Sequence, residues 1–218
     1  MTHLLEADGI QLNFNNRKIL SDIYIRCQTG KISGLLGRNG QGKTCLMNII
    51  YGNLQAYAKS VRFDNVSIRQ AFKKPELLSF LPQFNFIPRS LTLKRVFADF
   101  NLDYSLFEKV FLPFQSKYKS SIENLSEGQQ RLVEIYIILK SKSLFAMFDE
   151  PFTHLMPMDI EIIKQLLSEE KRNKGIIITD HLYQHVADVS DSLYILVNGK
   201  TYLTKTKEDI ELLGYAKN

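Results

Sequence analysis

The stretch Gly37-Arg38-Asn39-Gly40-Gln41-Gly42-Lys43-Thr44 constrains this chain more than any other. It follows the short apolar run Ile32 to Leu36 and opens Thr44 to Tyr51, a segment with few breakers that reads as a helix. Strand, glycine-rich curl and helix in that order are the context that the G-x-x-x-x-G-K-[ST] phosphate loop requires. Gly37, Gly40 and Gly42 let the backbone curl so that successive N–H groups face phosphate oxygens, and the helix dipole adds positive charge there. Lys43 brings a full charge to the β- and γ-phosphates. Thr44 offers a hydroxyl to Mg²⁺, a cation that prefers octahedral oxygen ligands and keeps several waters. The predicted binding set runs without a gap from Gly37 through Arg38, Asn39, Gly40, Gln41, Gly42, Lys43 and Thr44 to Cys45. The Cys45 thiol itself is read as inert.

A phosphate loop needs an α/β frame, and the hydropathy pattern supplies one. Ile10, Leu12 and Phe14 alternate with polar neighbours, as do Ile23, Ile25 and Cys27, which predicts half-buried strands in the N-terminal third. Leu144 to Phe148, Ile176 to Thr179 and Leu193 to Val197 are nearly continuous apolar runs, the pattern of strands covered on both faces of a parallel sheet. Between the first two, Glu161 to Arg172 places Ile162, Ile163, Leu166 and Leu167 on one helical face. Asn198-Gly199 predicts a two-residue hairpin. Residues 84–125 differ: seven of the 14 Phe fall between Phe84 and Phe114, and Phe107, Val110, Phe111 and Phe114 follow helical spacing. This is read as a helical insertion whose rings either form their own small core or line a groove for a partner helix.

The 218 residues, 44% hydrophobic and 23% charged, fit one globular domain and exclude a disordered chain. No apolar run approaches the ~20 residues of a membrane span. Glu6 and Asp8 near the start argue against a secretory signal, and Cys27 and Cys45 give neither a disulfide framework nor metal spacing, so a cytoplasmic location is expected. The net charge of +5 comes from scattered basic residues, and no nucleic-acid partner is expected.

Two further motifs complete the pattern. Leu144 to Phe148 ends in Asp149-Glu150, and acids at the carboxyl end of a parallel strand lie in the crevice where open α/β sheets bind ligands. Asp149 is placed to hold Mg²⁺ through water, and Glu150 to orient and deprotonate an attacking water. Leu125-Ser126-Glu127-Gly128-Gln129 has capping-box spacing, so a helix is expected to start at Ser126 with free N–H groups at its tip. Together with the phosphate loop and the acid pair, this segment closely resembles the signature of the ATP-binding cassette (ABC) ATPases, usually written LSGGQ.

The resemblance runs in order over nearly the whole chain. It implies an α/β phosphate-loop NTPase with a mainly parallel core sheet, an antiparallel β subdomain at the N-terminus and a helical subdomain inserted at about 84–140, all within one domain, 1–218. It implies that Phe14 stacks on adenine, that Gln83 touches Mg²⁺ and the attacking water, and that His181, in Ile178-Thr179-Asp180-His181, contacts the γ-phosphate. Ser126, Gly128 and Gln129 would meet the nucleotide bound by a second ATPase subunit, identical or not. Separate membrane permease subunits would hold the chain at the cytoplasmic face of the membrane, with ATP and Mg²⁺ as cofactors. Pro151-Phe152 and Thr179-Asp180-His181 look most like ATPases serving lipopolysaccharide export or branched-chain amino-acid import. Two positions depart from the family pattern: Glu127 replaces a glycine, and Met156 stands where an aspartate is usual, with Asp159 three residues beyond. These departures give weight to an alternative, a soluble regulatory ATPase without a transport role. A single phosphate loop and signature disfavour a tandem translation-type ATPase, and the lack of a long coiled-coil insertion disfavours a chromosome-type one.

Overall fold

The computed structural model describes residues 1–204; the part of the expected domain beyond Thr204 lies outside the described residues. Two sheets form the frame. The first is antiparallel: β1 (Leu4–Phe14) pairs with β2 (Arg17–Leu20), β3 (Tyr24–Gln28) and β5 (Ala58–Phe63), and β5 pairs with β6 (Val66–Ser67). The second has six strands in the order β11 (Lys200–Thr204), β10 (Ser192–Val197), β4 (Ile32–Leu36), β9 (Gly175–Thr179), β8 (Phe145–Asp149) and β7 (Leu78–Leu81). All of its pairings are parallel except β10 with β11. Asn198 and Gly199 both have positive φ, 50° and 76°, and close the predicted two-residue hairpin between β10 and β11.

The apolar runs are buried on both faces, and alternation assigns each residue to its side. Phe145, Met147 and Ile177 join a core with the first sheet and α1 (Lys43–Tyr51). Ala146, Phe148, Ile176 and Ile178 join a second core with α4 (Glu127–Lys140), α5 (Pro157–Glu170) and α6 (Tyr183–Val189). The second core continues into α2 (Leu93–Asp99) and α3 (Tyr104–Val110), which lie between β7 and β8 in the chain.

Two expectations need correction. The helix read as Glu161 to Arg172 begins at Pro157, whose missing N–H costs nothing in the first turn of a helix, and ends at Glu170. The helical spacing of Phe107, Val110, Phe111 and Phe114 does not correspond to one helix: α3 stops at Val110, and Phe114 lies in a short 3₁₀ turn, Leu112–Phe114. Pro113 has no N–H for a continuing helical ladder. The aromatics also divide between the two readings. Phe97, Phe107, Phe111 and Phe114 pack together at ring distances of 4.6 to 6.4 Å, whereas Phe84 and Phe100 are exposed and line a groove.

Candidate active site

The phosphate loop joins the carboxyl end of β4 to α1. Gly42 takes φ 102°, and a Cβ there would lie 2.9 Å from Ile19 Cγ2, so the curl admits no side chain at this position. Lys43 is buried, and its Nζ donates to the Gly37 carbonyl at 2.7 Å, folding the ammonium into the loop. Burial lowers its pKa, against the opposing pull of Glu150, Asp149 and Asp180. Gln41 Oε1 accepts from the Asn198 N–H at 3.2 Å, pinning the loop to the β10–β11 turn, while Arg38, Asn39 and Gly40 face solvent. Lys43, Thr44 and Cys45 line a cleft of about 390 Å³ together with Gln83 and Glu150, and Phe14, 49% exposed at the end of β1, stands at its rim. Burial raises the Cys45 thiol, which keeps it protonated and supports its inert reading.

Asp149 ends β8 wholly buried, and neither of its carboxylate oxygens has a hydrogen-bond partner. Burial pushes its pKa to about 6, while the Thr44 hydroxyl approaches without completing a hydrogen bond and pulls it down. A buried acid with two open oxygens beside a threonine hydroxyl suits Mg²⁺, which takes few protein ligands and fills the rest with phosphate and water. Glu150 follows with φ 50°. Its Oε2 accepts from Gln83 Nε2 at 2.8 Å and lies 3.8 Å from His181 Nδ1, so the fold brings together three of the sequence-predicted residues. Asp180, given no role of its own in the sequence, holds the adjoining turns: its carboxylate accepts from the Phe152 N–H at 2.9 Å and the Leu182 N–H at 3.0 Å.

The signature lies apart from this cleft. Ser126 caps α4 with a full capping box, its Oγ accepting from Gln129 N–H and Gln129 Oε1 accepting from Ser126 N–H, both at 3.3 Å. Gln129 Oε1 also accepts from Lys117 Nζ at 3.0 Å. Gly128 has a reason of its own: a Cβ would lie 2.6 Å from the His154 carbonyl oxygen. Glu127 Oε2 lies 3.6 Å from His154 Nδ1, so the atypical acid meets an imidazole from the loop after Glu150. Ser126, Gly128 and Gln129 line a separate cleft of about 540 Å³ with His154 and Met156, and no part of the phosphate loop borders it.

Two buried charged side chains of α4 escaped the sequence reading. Arg131 and Glu134 are buried in α4 among Leu132, Val133 and Ile135, and opposite charges three residues apart in an otherwise apolar helix were the available signal. A family model described as ABC transporter matches residues 20–153, more than half of the chain. The chain belongs to the ABC transporter family. It is a nucleotide-binding ATPase, the ATP-binding subunit of an ABC transporter. Lipopolysaccharide export system ATP-binding protein LptB of Haemophilus influenzae is 29% identical to this ABC subunit, covering 95% of it and 92% of LptB. High-affinity branched-chain amino acid transport ATP-binding protein BraG of Pseudomonas aeruginosa is 23% identical, covering 93% of each. A solved nucleotide-free ATP-binding cassette from an ABC transporter superposes with TM-score 0.77 at 23% identity, covering 98% of this chain and 96% of that one, a likeness of fold. Among the described residues of the ABC subunit, no helix is long and apolar enough to cross a membrane.

Proposed function

We propose that this ABC subunit hydrolyses ATP between two head-to-tail ATPase subunits and passes the resulting motion to separate membrane subunits. The observation that carries the reading is the Glu150 carboxylate, bracketed by Gln83 and His181 at the cleft that Lys43 and Thr44 line. Phe14 offers a ring to adenine, the loop from Gly37 to Thr44 surrounds the phosphates, and Lys43 stabilises charge on the transferring group. Thr44, Asp149 and Gln83 would hold Mg²⁺, which supplies neutralising charge to the phosphate oxygens. Glu150 orients the attacking water and takes its proton, while Gln83 and His181 fix the carboxylate.

The separation of the signature from the phosphate loop supports a site completed by a second subunit, whose capped helix tip at Ser126 faces the γ-phosphate. The groove of about 810 Å³ that Phe84, Phe86 and Phe100 line offers an apolar seat for a membrane subunit at the cytoplasmic face. Glu150→Gln tests the reading. It is expected to bind ATP with unchanged affinity, to slow hydrolysis about 100-fold or more, and to accumulate an ATP-dependent dimer. Turnover equal to the unaltered protein would remove Glu150 from the chemistry.

A further inference from the structure

The buried pair in α4 does not pair well. Arg131 Nη1 and Glu134 Oε2 stand 3.5 Å apart with side chains 4% and 1% exposed, and Glu134 Oε2 has no hydrogen-bond partner. A buried ion pair in such geometry gives little net stability, because desolvating both charges offsets their attraction. What the two groups do instead is grip the backbone of two loops. Arg131 Nη1 donates to the Pro82 carbonyl at 2.8 Å, and Nη2 donates to the carbonyls of Asp149 at 2.8 Å and Glu150 at 3.0 Å. Glu134 Oε1 accepts from the N–H groups of Phe86 at 2.8 Å and Ile87 at 3.3 Å.

One guanidinium therefore ties the residue before Gln83 to the backbone of Glu150, and one carboxylate ties the far end of the same loop. Glu150 needs such a tether, since φ 50° is disfavoured for a residue with a side chain. Its N–H donates to the Thr179 carbonyl at 2.8 Å and its own carbonyl accepts from Arg131, so both sides of its backbone are held. The exposed groove ring Phe84 lies between the two gripped points of the loop, and Phe86 is itself gripped.

We propose that Arg131 is a positioning residue for hydrolysis: it sets the backbone of Glu150 and couples it to the Gln83 loop, which Glu134 anchors from the other end. The inference rests on the reading of Glu150 as the residue that activates water. Movement of the loop at the aromatic groove then reaches the backbone of Glu150 through Arg131, beside the hydrogen bond that Gln83 gives its carboxylate, without passing through the nucleotide.

The test compares Arg131→Lys, the double variant Arg131→Met with Glu134→Leu, Glu150→Gln, and Arg131→Lys combined with Glu150→Gln. Lysine keeps the charge but cannot reach all three carbonyls at once. The double variant replaces the ion pair with apolar groups, an exchange that proteins tolerate in the core. Melting temperature and ATP affinity report folding, and single-turnover hydrolysis of labelled ATP reports the chemistry. Arg131→Lys and the double variant are expected to lower kcat on the order of 10- to 100-fold while the KM for ATP changes less than about threefold. Arg131→Lys is expected to add nothing once Glu150 is Gln, which a merely structural role would not produce. A folded double variant with unaltered kcat, or an Arg131→Lys loss that multiplies in full with that of Glu150→Gln, would overturn the proposal. An unaltered rate for Glu150→Gln alone would instead remove the reading on which it rests.

Discussion

The two clefts of this ABC subunit are built on opposite plans. Around the phosphate loop, the polar groups that line the cleft or its loop are held by their own chain: Lys43 is folded onto Gly37, Gln41 is pinned to Asn198, and Glu150 is gripped by Gln83. Around the signature, polar groups are satisfied by one another and then left facing outward. Ser126 and Gln129 close a capping box, Glu127 meets His154, and Met156 is 69% exposed. On the reading proposed above, the difference means that one half of the site is complete within a single chain, while the other is a surface prepared for a second subunit. Binding and turnover can therefore be separated by mutation.

Four substitutions probe that division. Phe107→Ala, within the ring cluster beneath the signature cleft, is expected to cost about 3–5 kcal/mol in chemical denaturation while nucleotide affinity of the folded protein holds. Lys43→Ala should do the reverse, weakening ATP binding on the order of 100-fold by titration calorimetry with little change in melting temperature. Ser126→Ala removes the cap of α4 and should lower stability by about 1 kcal/mol. It should leave ATP affinity of the isolated subunit within about twofold and slow steady-state turnover, a combination that a self-contained site would not give.

Lys174→Met touches neither cleft and serves as the control. Lys174 is buried in the turn before β9, and burial lowers its pKa to about 8. The folded state gives up this proton before the unfolded state does, so its contribution to stability rises as pH increases from about 8 toward the ordinary lysine value. The stability of the unaltered protein relative to Lys174→Met should therefore rise over that window, with ATP hydrolysis unchanged. A relative stability that fell as pH increased would reverse the sign assigned to this group.

Much of this architecture was legible from the residues. The glycine spacing before Lys43 and the apolar run ending in Asp149-Glu150 are local patterns with one physical solution, and the fold places them together. The helix start at Ser126 was equally local, because a capping box depends on residues three apart. What escaped depends on contacts across the chain. Arg131 reaches Pro82, Asp149 and Glu150, and nothing in the α4 sequence says which carbonyls a buried guanidinium will find. Asp180 likewise gains its role only when β9 and β8 lie side by side and bring Phe152 within reach. The aromatic segment misled by periodicity: Phe114 keeps helical spacing from Phe107 although the intervening Pro113 has already broken the helix. Glu127 read only as a departure from the family's glycine, whereas the fold sets its carboxylate 3.6 Å from His154 Nδ1.

A structure of Glu150→Gln saturated with ATP and Mg²⁺ decides the account. It should hold two subunits, with the Ser126 hydroxyl of each about 3 Å from a γ-phosphate that Lys43 of the other holds. An assembly with both nucleotides bound in which Ser126 stays remote from every γ-phosphate would contradict it.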